Sequence, residues 1–344
     1  MSEPLIDIIV PVFNGAQYIP GFLAQFDAQD GIDDDVRIIF VDDGSEDNTG
    51  ELLRNGTLKC RYQVRIISCQ HLGVSAARNA GIRESGAEYI AFFDVDDVCS
   101  PDYVSTLKEI SARGVSDVFL FCRKMLFDDK GVIASAGEEG PLPVMRTGRQ
   151  DLLNEILTDE TRFGGIHCIL MRRSFVECNG LLFAEGYPYY EDTEYLYRVL
   201  AMASEEIYVT DRYLYGYIAR HTGSAMARFT RDRIRCLSLL SDLEPLFESR
   251  VPGFAPKYKQ YGVSRIYWSV LWQAALSAPS YGEFRKFASD TGADDKMRML
   301  SGFPDRKVRL LRRLYLISRR VYYMTVRILG RRYSKVRWEM QSTV

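Results

Sequence analysis

Three carboxylates, Asp94, Asp96 and Asp97, follow directly on the apolar run Tyr89-Ile90-Ala91-Phe92-Phe93. Charges leaving a buried strand together are costly unless something positive meets them. A divalent cation, an arginine cluster or a metal-held phosphate would serve. Magnesium and manganese take hard oxygen ligands, often one or two carboxylates plus substrate phosphates. Open α/β sheets hold their ligands beyond the carboxyl ends of the strands. The run therefore points to a metal-dependent site for a phosphorylated ligand at such an edge. With three histidines in the chain (His71, His167 and His221), a histidine-rich metal centre is not expected.

Two more polar groups should reach the same rim. Residues 5–10 form a β-branched apolar run ended by Pro11, and Asn14-Gly15 follows. Residues 36–41 form a second run, stopped by Asp42-Asp43-Gly44-Ser45. Short continuous apolar runs of this kind read as buried parallel strands. Ile19, Phe22, Leu23 and Phe26 recur between them at helical spacing. A third strand is expected at 64–68, a helix at 74–83 and a fourth strand at 88–93. Alternating strands and helices predict a doubly wound α/β sheet with right-handed crossovers. Each polar group also has a plainer reading, since Asp, Asn, Gly and Ser are ordinary turn and cap residues. Three such groups at one rim are harder to assign to turns alone.

The whole chain has 344 residues, 47% hydrophobic and 26% charged, as expected of a globular protein of about two domains. Its net charge of −2 hides an asymmetry. Residues 306–337 hold 12 Lys and Arg and no acid, leaving 32 basic against 46 acidic residues elsewhere. Seven cysteines without metal-ligand spacing read as reduced thiols of a cytosolic protein. The N-terminal segment lacks a basic n-region and cleavage site, so no signal peptide is expected. No uncharged apolar stretch reaches the length of a membrane span.

The segments PVFNGAQYI (11–19), VDDGSEDNT (41–49), GVSAARNAGI (73–82) and YIAFFDVDD (89–97), in that order, resemble the nucleotide-sugar-binding half of glycosyltransferase family 2. The resemblance covers roughly residues 4–104 and, more weakly, 160–226. It implies a GT-A type mixed sheet flanked by helices. By that match Asp94-Val95-Asp96 is a DxD motif, with Asp96 ligating Mg2+ or Mn2+ on the donor diphosphate. Asp94 would share the ion or face the ribose, and Asp97 extends the motif. Asp43 beside Asp42 would contact the nucleotide base, and Pro11, Val12, Phe13 and Asn14 would line its pocket. Arg78 and Asn79 match an ARNxG pattern near the nucleotide; a structural role suits them equally. Glu191-Asp192, just ahead of a helix start, resembles the family's ED motif, with Asp192 as general base for the acceptor hydroxyl and Glu191 beside it. As simple caps, both acids would also suit a helix N-terminus. Arg220 and His221 lie in a segment resembling YxYxxRxxxS and could reach the diphosphate. No QxxRW motif is present, so one sugar per cycle is expected rather than a polymer.

The implied activity is inverting transfer from a nucleotide sugar, UDP-linked first among the candidates, to a glycan hydroxyl. By family analogy the acceptor is linked to a polyprenyl diphosphate, in surface polysaccharide or lipopolysaccharide synthesis. Two alternatives remain. Asp94-Val95-Asp96-Asp97-Val98 also fits the DxDx[TV] nucleophile motif of haloacid dehalogenase-type phosphatases, although that motif belongs on a first strand. A catalytically silent sugar- or lipid-binding module would use the same rim.

The organisation expected is a catalytic domain at 1–226, with a nucleotide-sugar half to 104 and an acceptor half after it. A helical region follows at 227–303, broken at its prolines, and a basic tail at 304–344. Read at 100° per residue, the tail is one amphipathic helix. Arg309, Arg312, Arg313, Arg320, Arg327 and Arg331 gather on one side. Leu310, Leu311, Leu314, Val321, Tyr322, Val326 and Leu329 gather on the other. Such a helix suits the anionic inner face of a cell membrane, giving a cytoplasmic, peripheral protein. The aromatics are not interleaved for base stacking, so no nucleic acid is expected.

Overall fold

The structure, a computed structural model, describes residues 3–114, 116–126, 142–159, 161–218 and 229–341, with side chains to 330. The chain divides into two compact units, residues 1–223 and 224–344.

The first unit opens with β1 (Ile6–Val12), α1 (Ile19–Asp27), β2 (Val36–Asp42), α2 (Thr49–Gly56), β3 (Gln63–Ser68), α3 (Val74–Glu84) and β4 (Tyr89–Phe92). Then come β5 (Val98–Cys99), α4 (Tyr103–Arg113), β6 (Val118–Leu126), β7 (Val144–Gly148) and α5 (Arg149–Thr158). β8 (Ile169–Arg172), α6 (Arg173–Cys178), α7 (Glu191–Met202) and β9 (Glu206–Ile218) complete it. The strands make one nine-stranded mixed sheet in the order β3-β2-β1-β4-β8-β6-β9-β5, with β7 also on β9. β3, β2, β1 and β4 are parallel, and β8 pairs antiparallel with β4 and β6. This is the GT-A type doubly wound mixed sheet expected.

Strand alternation sets the core. Ile6, Ile8 and Val10 face a cluster with Phe22, Phe26, Phe40, Phe93 and Tyr103. Ile9 faces the other way, under α3. A Cβ on Gly81 would lie 2.4 Å from Ile9 Cγ2, so the helix can rest on the strand only through glycine. At the end of β4 the neighbouring rings part company. Phe93 meets Phe22, Phe26, Tyr103 and Tyr215 on one face. Phe92 meets Phe183 and Tyr195 on the other, and those two rings stack at 3.9 Å. The strand that delivers the acids is thereby wedged against α7.

Several elements lie beyond those expected, α2 and β9 among them. α2 carries few apolar residues and buries Leu53 and Thr49. β9 runs for 13 residues despite its arginine and aspartate. Among the described residues all seven cysteines are free, with Cys122, Cys168 and Cys236 buried.

The second unit is helical: α8 (Asp232–Ser241), α9 (Glu244–Arg250), α10 (Ala255–Ser277), α11 (Tyr281–Asp290), α12 (Ala293–Met299), α13 (Arg306–Ile317) and α14 (Arg319–Gln341). Pro252, Pro256, Pro279 and Pro304 fall between helices or in a first turn, where a missing N–H is tolerated. The single amphipathic tail is corrected. Ser318, in extended conformation, breaks it into two helices. Val308, Leu311 and Tyr315, then Tyr322, Tyr323 and Val326, are buried. Several arginines of the expected cationic side are committed inside the unit. Arg309 donates to the Phe303 and Pro304 carbonyls, Arg312 to Met297 O, and Arg327 to Ala278 O. No helix among the described residues is long and apolar enough to cross a membrane.

Candidate active site

The loops after β1, β2 and β4 converge. Asn14 adopts a left-handed φ of 49°, and its amide carbonyl accepts the Glu46 N–H at 2.9 Å. Its own N–H donates to Ser45 Oγ at 2.9 Å. The Gly15 N–H donates to Thr49 Oγ1, and the Ala16 N–H to Asp47. A left-handed asparagine braced from both sides is the kind of strain that marks binding sites. Pro11 and Val12 close β1, and the Val12 carbonyl accepts the Asp43 N–H.

Asp42 and Asp43 point to different tasks. Asp42 accepts the Ser45 N–H at 2.9 Å and belongs to the turn. Asp43 is buried and reaches the loop before α3. It accepts the Leu72 and Gly73 N–H groups at 2.9 Å each, and His71 Nδ1 lies 3.0 Å from Oδ2. His71 stacks on Phe13 at 4.0 Å, and both rings are largely exposed. Phe13, Asp43 and His71 thus form one aromatic and acidic corner beside Asn14. His71 was counted in the sequence but given no role. Its signal, an aromatic ring just ahead of the GVSAARN segment, is too common to single it out.

Beyond β4, Asp94, Asp96 and Asp97 bring oxygens within 4.8 Å of one another. The buried Arg78 guanidinium donates to Asp94 Oδ1 at 3.1 Å and to Glu191 Oε1 at 3.4 Å. His167 Nε2 lies 3.0 Å from Asp94 Oδ2, and its ring stacks on Tyr215. Burial opposes the charge on Asp94, but His167 and then Arg78 hold its carboxyl well below the ordinary value. Asp97 behaves in the opposite way. Burial, then the charges of Asp94 and Asp96, push it up to about 7, although Tyr215 Oη and the Ile218 N–H donate to it. His167 was not predicted. It lies 73 residues from Asp94 in sequence, and only the β8–β4 pairing brings its segment near.

Glu191 and Asp192 open α7, as the motif suggested. Tyr190, with φ of 67°, turns the chain into the helix. Burial and the neighbouring Asp192 charge raise Glu191 to about 7, with Arg78 opposing. Asp192 is half-exposed and accepts the Thr193 N–H at 2.7 Å. Asn79 takes a bracing role. Both its amide hydrogens are committed, to Phe183 O and Glu185 Oε1, and its carbonyl accepts the Phe183 N–H. It fixes the segment leading into α7. Arg220 and His221 lie outside the described residues.

The carboxylates fit a divalent ion by chemistry. They are hard oxygens, three within reach of one ion, at a strand end facing a braced loop. Arg78 and His167 each hold one oxygen of Asp94. The same contacts weaken the phosphatase alternative, because an Asp94 whose two oxygens are engaged by Arg78 and His167 is a poor nucleophile, and its motif leaves the fourth strand.

The sequence profile of glycosyl transferase family 2 matches residues 7–180. The chain is 28% identical over 215 residues to the uncharacterized glycosyltransferase EpsJ of Bacillus subtilis, a stretch that is 62% of this chain and 61% of that protein. Among curated relatives that second share runs from 15% in one to 74% in another. The crystal structure of S. aureus TarS 1–349 in complex with UDP-GlcNAc superposes with a TM-score of 0.61 at 20% identity, covering 95% of this chain and 91% of that one. The mannosyltransferase PcManGT from Pyrobaculum calidifontis, in complex with GDP-Man and Mn2+, superposes with a TM-score of 0.55 at 14% identity, covering 97% and 89%. These two share the fold. With the profile matching half of its length, the chain belongs to glycosyl transferase family 2.

Proposed function

We propose that this chain is an inverting glycosyltransferase. It moves one sugar per cycle from a nucleoside-diphosphate sugar to a hydroxyl of a glycan acceptor. The observation that carries this reading is the Arg78 bridge. One buried guanidinium contacts both the strand-end acid Asp94 and Glu191 of the helix-start pair. Donor-side acids and the candidate base therefore belong to a single cluster.

The base would rest at the corner of Phe13, Asp43 and His71, with Asn14 shaping its floor. Asp96, with Asp94, would hold magnesium or manganese; when bound, such an ion offsets the charge of the departing diphosphate as a Lewis acid. Arg78 and His167 keep Asp94 ionised and oriented, which preserves the negative rim. Asp192, half-exposed at the amino end of α7, would accept the acceptor hydroxyl's proton as its oxygen attacks the anomeric carbon. A single displacement from the opposite face inverts configuration. Glu191, tied to Arg78, would fix the position of Asp192 rather than take the proton.

A UDP-sugar is the first donor to test, with GDP- and dTDP-sugars next. The bound donors of the two structural neighbours, UDP-GlcNAc and GDP-Man, support that class. A polyprenyl-diphosphate-linked acceptor, in surface polysaccharide or lipopolysaccharide synthesis on the cytoplasmic side of the membrane, is the acceptor reading by family analogy.

The test is calorimetric titration with UDP, GDP, dTDP, CDP and ADP, with and without manganese. Selective, manganese-dependent binding of one diphosphate, weakened in Asp96→Ala and retained in Asp192→Asn, is expected. Asp192→Asn should reduce transfer by about 100- to 10,000-fold. Transfer near the wild-type rate in Asp192→Asn would remove the base assignment. Folded protein that binds no nucleotide would remove the donor site.

A further inference from the structure

The sequence placed Tyr322 and Val326 on a lipid-facing side of the tail, but both are buried in the second unit. The exposed apolar residues are different ones. Six of the fourteen large hydrophobic side chains exposed among the described residues fall between 310 and 328. Ile317 is 83% exposed, Ile328 63% and Leu310 60%. At 100° per residue, Arg320, Val321, Met324 and Ile328 fall within about 100° of arc. That arc lies opposite the buried Tyr322, Tyr323 and Val326. On α13, Arg306, Leu310, Arg313 and Ile317 fall within about 60°, opposite Val308, Leu311 and Tyr315. The buried sides of both helices pack on α10, α11 and α12, so the apolar sides left exposed face away from that layer.

The charge on this face has one sign. Arg306, Lys307, Arg313 and Arg320 are exposed, and no acid occurs from 306 to 337. Apolar side chains set among cations match a bilayer containing anionic lipids, where the aliphatic chains enter the acyl boundary and the guanidinium groups stay at the headgroups. A second copy of the chain matches less well, because a twofold contact would oppose cation to cation. Nucleic acid matches less well too, since Tyr315, Tyr322 and Tyr323 are buried and cannot stack on bases.

We propose that the outer face of α13 and α14, built on Leu310, Ile317, Val321, Met324 and Ile328, docks this protein on an anionic membrane surface. The proposal stands on this face alone and is independent of the transferase reading. Deleting the tail would not test it, because Tyr315, Tyr322 and Val326 would leave the core of the second unit. Surface substitutions do.

Full-length protein is floated with vesicles of phosphatidylcholine alone and of phosphatidylcholine mixed with phosphatidylglycerol. Binding to the mixed vesicles, well above that to neutral ones and falling with salt, is expected. The combined change Ile317→Ser, Val321→Ser and Met324→Ser should weaken it at least about tenfold, whereas Leu58→Ser, at an exposed leucine of the first unit, should not. Arg313→Gln with Arg320→Gln should lower both binding and its salt dependence. UDP binding measured on the same variants should be unchanged, which separates this result from any failure of the donor site. Equal binding by the triple variant, equal binding to neutral vesicles, or no binding at all would overturn the proposal. So would a wild-type dimer that the triple variant converts to monomer without any vesicle binding.

Discussion

Arg78 sits where a single substitution should have two readable effects. Its guanidinium is buried between Asp94 and Glu191 and lies over the Phe183 ring at 5.3 Å. Arg78→Gln leaves two acids facing each other without a cation. Breaking a buried ion cluster from one side costs about 3 to 5 kcal/mol. Urea unfolding should show that loss, and nucleotide binding should weaken with it. Arg78→Lys should recover little, since one ammonium cannot reach both carboxylates as a planar fork does. A stability change below about 1 kcal/mol would show that the bridge is a surface-like pair. Glu191 gives a second test, through pH. Its carboxyl is raised to about 7 by burial and by Asp192. The fold therefore favours the protonated form, and that stability is present below the ordinary carboxylate range and lost as pH rises toward 7. For metal-free protein, Glu191→Gln should flatten the decline of the unfolding midpoint over that window. One group changes the slope by at most about 1.4 kcal/mol per pH unit. An unchanged slope in Glu191→Gln would show that Glu191 does not titrate in this way.

Among the elements, the loop after β2 shows how backbone geometry holds the nucleotide corner together. Gly44 has φ of 76°, and a Cβ there would lie 2.9 Å from the His71 backbone nitrogen. Gly44→Ala adds a left-handed penalty of about 1 to 2 kcal/mol and pushes on the loop that holds Asp43 and His71. Calorimetry should find weaker nucleotide binding out of proportion to the modest loss of stability. Equal affinity would mean that this corner does not touch the nucleotide. The legibility of these elements follows their physics. β1, β2 and β4 are continuous apolar runs because both faces are buried, so Ile8, Ile39 and Phe92 announce them. α2 was invisible because a short polar helix buries little beyond Leu53. β9 was invisible because Arg212 and Asp211 interrupt its pattern, though Leu214 and Tyr215 are buried. Asp94 and Asp96 were legible as acids in an unusual place, whereas Glu191 and Asp192, ordinary at a helix start, stood out only through the ED-motif resemblance. His167 was not legible, because its contact with Asp94 depends on a long-range strand pairing. The tail misled for a third reason. A helix drawn through Ser318 keeps a single phase, whereas the real break resets it, and the apolar side drawn that way left out the buried Val308, Tyr315 and Tyr323.

At the scale of the whole molecule, the second unit has its own core, and that core is aromatic. Tyr322 is fully buried, lies near Phe284 at 5.9 Å and meets Tyr315 edge-on at 5.4 Å. Its hydroxyl has no hydrogen-bond partner among the described residues. Two substitutions at this one position should therefore diverge. Tyr322→Ala removes a whole ring from a closed core and should cost about 3 to 5 kcal/mol. Tyr322→Phe removes only an unsatisfied hydroxyl, whose burial is unfavourable without a partner, and should be neutral or stabilising by up to about 1 kcal/mol. Thermal unfolding of the three proteins, with and without saturating UDP, reads both effects. The proposed donor site lies wholly within the first unit, so UDP affinity should be the same in all three. Ligand binding stabilises only the unit that binds it. UDP should thus raise the transition of the first unit and leave the one shifted by Tyr322→Ala where it was. A single transition that moves with both UDP and Tyr322→Ala would mean that the two units unfold as one, and that changes in the basic helices are felt at the sugar-nucleotide rim.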